Sequence, residues 1–206
     1  TLEFKSKVEE VFIPLAGHFQ AENVLCSLGL AMAGGISFEA AVSALPRLTP
    51  ARGRMELVGY SENGAAIAID YAHSPDALKN ALFALRQHCD GRLVLVFGCG
   101  GDRDQGKRVE MGRIALDLAD TILVTDDNPR TENPAAIRRD VIKGCPGALE
   151  IPNREEAIQM AIGMLCDGDL LLVAGKGHES YQIVGSEQLE HSDFDIVRRA
   201  INNGAQ

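Results

Sequence analysis

"VLVFGCGGDRDQGKR", residues 94–108, runs an unbroken apolar stretch from Val94 to Phe97 into a glycine-rich turn, and from there into a helical pattern. An apolar run without polar alternation is what a strand covered on both faces requires, and such strands belong to parallel sheets layered between helices. Inside the turn, Gly101 is followed by four residues and then by Gly106 and Lys107. That is the spacing of a phosphate-binding P-loop, but Arg108 stands where a Ser or Thr hydroxyl would meet magnesium. The stretch is therefore either a nucleotide loop without its metal ligand or a different anion site. A dinucleotide fingerprint fails here, because Arg103 occupies the place of the third glycine.

The same strand–turn–helix unit recurs outward from this point. Strand-like runs fall at 55–60, 65–72, 92–98, 121–127, 148–151 and 169–175, and helix-like runs at 74–89, 107–119, 133–144, 153–165 and 192–202. Ser74 before Pro75 is an N-cap followed by a proline in the first turn. The alternation predicts an α/β fold with a doubly wound, mostly parallel sheet of Rossmann-like form. The first residues read differently. "FKSKVEEVFIPLAG" (4–17) suggests short strands, "HFQAENVLCSLGLAMAGG" (18–35) a helix with a Gly-Gly stop, and "SFEAAVSALPRL" (37–48) a short helix broken at Pro46. "TPARGR" (49–54) reads as a linker, giving expected domains of 1–52 and 53–206.

Composition narrows the function classes. The 206 residues carry a net charge of −9, and outside the quoted loop the basic residues are scattered. That excludes a nucleic-acid backbone binder, whose affinity comes from clustered Lys and Arg. No segment reaches the roughly 20 apolar residues of a membrane helix, so no membrane partner is expected. Five cysteines with no CxxC pair point to reduced thiols and a cytoplasmic location. Cys99 reads as a small residue in a tight turn, with no base placed beside it by any motif. The chain opens at Thr1 without Met, which reads as the start of a fragment.

In open α/β sheets, ligands bind beyond the carboxyl ends of the strands. Four polar segments follow predicted strands: "DYAHSPD" (70–76), "GCGGDRDQGKR" (98–108), "DDNPRTENP" (126–134) and "AGKGHE" (174–179). They bring Asp70, His73, Arg103, Lys107, Asp127, Asn128, Arg130, Lys176, His178 and Glu179 toward one rim. Turn chemistry explains any one such loop, whereas four charge-bearing loops on one rim point to a shared site. Lys107 reads equally as a ligand or as an exposed lysine at a helix start.

"GRMEL" (53–57), "DYAHSPDAL" (70–78), "VFGCGGDRDQGKR" (96–108), "TDDNPRTENP" (125–134) and "VAGKGHESYQ" (173–182) occur in this order. Together they resemble the C-terminal domain of the Mur ligases, the ATP-dependent amino-acid ligases of peptidoglycan synthesis, and among these the enzymes that add the third stem-peptide residue. Residues 1–52 resemble the end of that family's central, ATP-binding domain. The resemblance implies a reaction in which ATP phosphorylates the carboxylate of UDP-N-acetylmuramoyl-L-alanyl-D-glutamate and an amino acid then attacks the acyl phosphate. It places the family's P-loop, its magnesium-associated carbamylated lysine and its UDP-binding domain upstream of Thr1. It thus implies ATP and Mg2+ as cofactors of a longer enzyme, no metal ligands in this piece, main catalytic elements outside it, and no activity of the piece alone.

The resemblance also implies roles for single residues. Arg103 would contact a carboxylate of the incoming amino acid, for which a planar guanidinium fork is suited. "DDNPR" is the family's element for meso-diaminopimelate, whose far end carries a carboxylate that lysine lacks. Arg130 would pair with that carboxylate, with Asp127 and Asn128 beside it, while Glu179 and the Gly175 carbonyl would take the far ammonium. The plain alternative for Arg130 is a solvated loop arginine. For ATP, Asn23, Arg54, Asp70 and His73 match family positions, with Gln20 standing where a partner asparagine is usual. Competing readings are a folylpolyglutamate-synthase-like ligase, a Rossmann-type nucleotide-binding domain, and a non-catalytic binding domain.

Overall fold

The computed structural model describes residues 1–4, 6–17 and 19–204. The chain divides into two compact units, Thr1–Pro50 and Ala51–Gln206.

In the first unit, β1 (Leu2–Phe4) pairs antiparallel with β2 (Lys7–Glu9), followed by α1 (Phe19–Ala33), α2 (Phe38–Ala44) and a 3-10 turn, Leu45–Arg47. The expected helix start at His18 and the expected strand position Lys5 lie outside the described residues. Ser37 caps α2, its hydroxyl accepting from the Ala40 amide. Pro46 falls in the first turn of the 3-10 segment, where its missing N–H ends α-helical bonding. The core is small: Val24, Leu28, Ala41 and Leu45, with five half-buried apolar side chains around them.

The second unit carries β3 (Glu56–Tyr60), β4 (Ala66–Asp70), α3 (Pro75–Arg86), β5 (Leu93–Phe97), α4 (Gly106–Leu118), β6 (Thr121–Val124), α5 (Pro134–Ile142), β7 (Leu149–Glu150), α6 (Arg154–Gly163), β8 (Leu170–Ala174), β9 (Tyr181–Val184), β10 (Glu187–Glu190) and α7 (Asp193–Gly204). Six strands form one sheet in the order β3-β4-β8-β5-β6-β7. Only β3 runs antiparallel to its neighbour. The continuous apolar strands are buried on both faces, as the quoted stretch requires. Ile67, Ile69, Val94, Val96, Leu171 and Val173 pack with Ala157, Ile158, Ala161, Phe194 and Val197 of α6 and α7. Residues of the other parity, such as Leu93, Leu95, Leu170 and Leu172, are equally buried on the opposite face.

Caps fix where the helices begin. Ser74 accepts from the Ala77 amide at α3, Asn133 from Ala135 and Ala136 at α5, and Asn153 from Glu155 and Glu156 at α6. β8 enters late and inserts between β4 and β5. The four strands whose following loops carry the candidate residues are thereby neighbours, β4-β8-β5-β6, with their carboxyl ends on one edge. The hairpin β9–β10, turning at Gly185 with φ +60°, follows β8 in a stretch to which the sequence reading assigned neither strand nor helix.

Candidate functional site

Beyond that edge lies a cavity of about 290 Å³. Of the residues singled out from sequence, His73, Arg103, Lys107, Asp127, Asn128, Arg130, Gly175 and Glu179 line it, joined by Tyr71, Cys99, Gly100 and Asp104. Arg54 lies beside it, its guanidinium 4.5 Å from the centre of the Tyr71 ring. Asp70 is turned inward. Its carboxylate accepts from the Met55 and Ala72 amides, each at 2.7 Å, and burial nevertheless raises its pKa against those bonds and the Arg54 charge. Asn23 belongs to the first unit, where its amide donates to Gln20 at 3.2 Å.

The glycine loop settles the question its spacing raised. Arg108 is buried, its Nη2 donating to both Glu132 carboxylate oxygens at 2.8 and 2.9 Å and its Nη1 to Asp140 at 3.4 Å. Lys107 donates to the His73 carbonyl at 2.8 Å. The loop is therefore built to lock onto the 126–134 loop rather than to cradle a phosphate chain. Gly101 donates to the Asn128 carbonyl at 2.9 Å, and a Cβ there would lie 2.0 Å from the Pro129 oxygen, so only glycine allows this approach. The Thr131 hydroxyl donates to Asp102 at 2.8 Å, and the Asp102 amide to Glu132 at 2.6 Å. Arg103 projects from this lock, exposed, its guanidinium donating to the Asp102 carbonyl at 3.0 Å.

Arg130 takes a left-handed backbone conformation, φ +51°. The hairpin holds it there: its amide donates to the Ile183 carbonyl at 3.0 Å and its carbonyl accepts from the Gly185 amide at 2.7 Å. Its guanidinium donates to the Gly101 carbonyl at 2.9 Å, which aims the fork across the glycine loop. Also lining the cavity, Glu179 accepts from Asn128 at 3.1 Å and from the Tyr71 hydroxyl at 3.3 Å. Burial and the Glu179 charge push the Tyr71 hydroxyl above its ordinary pKa. Asp127 is buried, and a Cβ on Gly175 would lie 2.7 Å from its carboxylate oxygen, so Gly175 makes room for that side chain. Cys99 is buried with its thiol pushed up to about 12 by burial, which leaves no thiolate for nucleophilic chemistry near neutral pH.

Beneath the pocket, Lys176 is wholly buried and bonds Asn128 and the Tyr181 carbonyl, each at 2.8 Å. Burial depresses its pKa, with Asp127 opposing and Arg154 adding to the shift. Arg154 and Asp193, at 2% and 0% exposure, form a bidentate pair at 2.8 Å, and His191 meets Asp193 at 2.9 Å. Burial alone would raise the Asp193 carboxyl, but Arg154 holds it well below the usual carboxylate range. These contacts carry no local sequence signal, because Arg154 and Asp193 are 39 positions apart.

An α/β sheet with a rim pocket holding Arg103 and Arg130 against Glu179 defines a domain that can hold a small ligand bearing charges of both signs. The chain belongs to the family "Mur ligase, glutamate ligase domain", whose model matches residues 53–177. It is 55% identical over 194 residues to the UDP-N-acetylmuramoyl-L-alanyl-D-glutamate--2,6-diaminopimelate ligase of Rhizobium meliloti (strain 1021), covering 94% of this chain and 40% of that protein. A relative of the same name from Agrobacterium fabrum (strain C58 / ATCC 33970) is 55% identical over 192 residues, 93% of this chain and 39% of the relative. A solved structure of a ligase of that name superimposes with TM-score 0.74 at 41% identity, over 95% of this chain and 41% of that one. A Mycobacterium tuberculosis folylpolyglutamate synthase shares the fold at TM-score 0.65, but at 22% identity it carries the likeness no further. The chain spans about two fifths of the length of the curated relatives it matches.

Proposed function

We propose that this chain is the amino-acid-binding part of an ATP-dependent ligase that adds meso-diaminopimelate to UDP-N-acetylmuramoyl-L-alanyl-D-glutamate. The observation that carries the reading is a pocket whose lining combines Arg103 and Arg130 with Glu179, in a chain 55% identical to proteins named for that substrate. Residues 53–206 would form the amino-acid-binding domain and residues 1–52 the end of a central ATP-binding domain, in a cytoplasmic enzyme.

In the reaction, a substrate carboxylate takes the γ-phosphoryl group of ATP, giving an acyl phosphate and ADP. The amine of diaminopimelate attacks the acyl carbon, phosphate leaves, and the amine loses a proton. This chain's part is to bind and orient, which converts a bimolecular attack into a positioned one. Arg103 would take one carboxylate of the amino acid. Arg130 and the Asn128 amide would take the far carboxylate, with Asp127 supporting Asn128. Glu179 and the Gly175 carbonyl would take the far ammonium. Arg54, His73 and Asn23 would meet ATP, and Asp70 would act indirectly by fixing the Met55 amide next to Arg54. Among the described residues no group of three or more His, Cys, Asp or Glu could hold a metal ion. The family resemblance would place the residues that hold the magnesium accompanying ATP outside this segment.

The test is ADP and phosphate release by the full-length ligase containing this segment. Release should require both the muramoyl dipeptide and diaminopimelate, and the 206-residue chain alone should give none. Turnover by the chain alone, or equal turnover with lysine, would overturn the reading.

A further inference from the structure

Asn128 receives two donors on one side-chain atom. The Ile183 backbone N–H points at the side-chain oxygen at 2.9 Å, and the Lys176 ammonium reaches the same oxygen at 2.8 Å. A backbone N–H and an ammonium can only donate, so each favours the orientation in which the oxygen faces them, and the two preferences add. The amide nitrogen is then directed to the other side, where it donates to Glu179 at 3.1 Å at the cavity wall. Lys176 itself is fully buried and does not line the cavity. An ammonium in such a place is costly unless its donors are used, and two of its three go to Asn128 and the Tyr181 carbonyl, with Glu179 at 3.7 Å from the nitrogen. It cannot touch a ligand directly, and its contacts all end on groups that frame the pocket or the root of the hairpin.

We propose that Lys176 is a positioning residue: with the Ile183 amide it saturates the Asn128 oxygen, so that the pocket presents the Asn128 nitrogen, a donor, to the ligand's far carboxylate. The assignment rests on the substrate reading above and deepens it. With the amide reversed, an acceptor oxygen would stand beside Glu179, and a carboxylate would meet repulsion instead of a hydrogen bond. Lys176 thus acts on carboxylate recognition through Asn128, while ATP recognition lies outside its reach.

The experiment is steady-state kinetics of the full-length ligase carrying Lys176→Met, which keeps the shape and removes the donors. The KM for diaminopimelate should rise roughly 10- to 100-fold, as expected for loss of a charge-assisted hydrogen bond. The kcat at saturating diaminopimelate and the KM for ATP should stay within about threefold. Lys176→Gln, which still offers an N–H, should recover most of the loss. Adding Asn128→Ala to Lys176→Met should worsen the KM by less than about threefold, because the two act on one contact. An unchanged KM for diaminopimelate, an equal rise for ATP, or independent multiplying effects would overturn the proposal. Should Lys176→Met fail to fold, nitrogen-15 spectra of the unaltered 206-residue chain decide. A Lys176 ammonium signal that is resolved, protected from solvent exchange and coupled across a hydrogen bond to the Asn128 side-chain carbonyl supports the clamp, and a Lys176 ammonium exchanging at the rate of a free lysine sinks it. If the unaltered enzyme does not use diaminopimelate, the substrate reading fails, and those spectra still judge Lys176.

Discussion

Arg130 concentrates the chemistry of the pocket in one side chain. Its residue type and neighbours were legible in "DDNPR", and so was the use of a guanidinium against a carboxylate. Its left-handed backbone and its tether to Ile183 and Gly185 were not, because the hairpin that supplies them lies some fifty positions further along the chain. Those contacts argue against a freely solvated loop arginine, since backbone on both sides and the guanidinium itself are held. Arg130→Ala in the full-length ligase should weaken use of diaminopimelate far more than use of ATP. Removing one side of a desolvated charge pair costs about 2–5 kcal/mol, or roughly 30-fold to several thousand-fold. Lysine lacks the far carboxylate and should be little affected, so the ratio of kcat/KM for diaminopimelate over lysine is the quantity to measure. A ratio unchanged within about threefold would mean that Arg130 serves the loop and not the ligand.

At the scale of elements, the strands of the central sheet were readable because burial on both faces leaves unbroken apolar runs, and the helix starts because Ser74, Asn133 and Asn153 cap them. The hairpin β9–β10 was not readable. Its strands are half-buried or exposed and carry Gln182, Glu187, Gln188 and Glu190, which dilute any alternation. Charge pairs joining distant elements were also silent. Arg154 opens α6 and Asp193 opens α7, and their bidentate contact pins the two helix starts together while Arg154 also donates to the Ala174 carbonyl at the end of β8. Asp193→Asn leaves a buried guanidinium without its counter-charge. The expected loss is about 3–5 kcal/mol, which for a chain of this length lowers Tm by roughly 6–20 °C. The folded pKa of Asp193 lies below its unfolded value, so the carboxylate's contribution is complete above the unfolded pKa of about 3.9. It is lost as pH falls from there through the folded pKa. Melting curves of the two proteins should therefore lie far apart at neutral pH and draw together below about pH 4. A gap that is the same at pH 7 and in acid would show that packing, not charge, sets the loss.

At the scale of the whole molecule, the two units differ in what their cores can support. The second unit encloses a sheet buried on both faces, with Leu93 to Phe97 and Leu170 to Ala174 at or near zero exposure. Among the described residues the first has six buried apolar side chains, of which four form its core cluster, and it leaves Phe12, Leu25, Leu30 and Ile36 largely exposed. A fifty-residue unit with so few buried side chains is marginal by its own contacts. The central sheet is far from that limit. Local opening should therefore be much easier in α1 than in β5 or β8. In native-state hydrogen exchange of the 206-residue chain, amides of Val24 to Leu30 should exchange at least about 100-fold faster than those of Leu95 and Leu172, equivalent to a difference in opening free energy of roughly 3 kcal/mol. Rising denaturant should bring α1 to full exchange in a first step while the sheet amides remain protected. Exchange of both sets at one common free energy, shifting together with denaturant, would show that the chain opens as one cooperative body. The small core of the first unit would then be drawing its stability from beyond its own side chains.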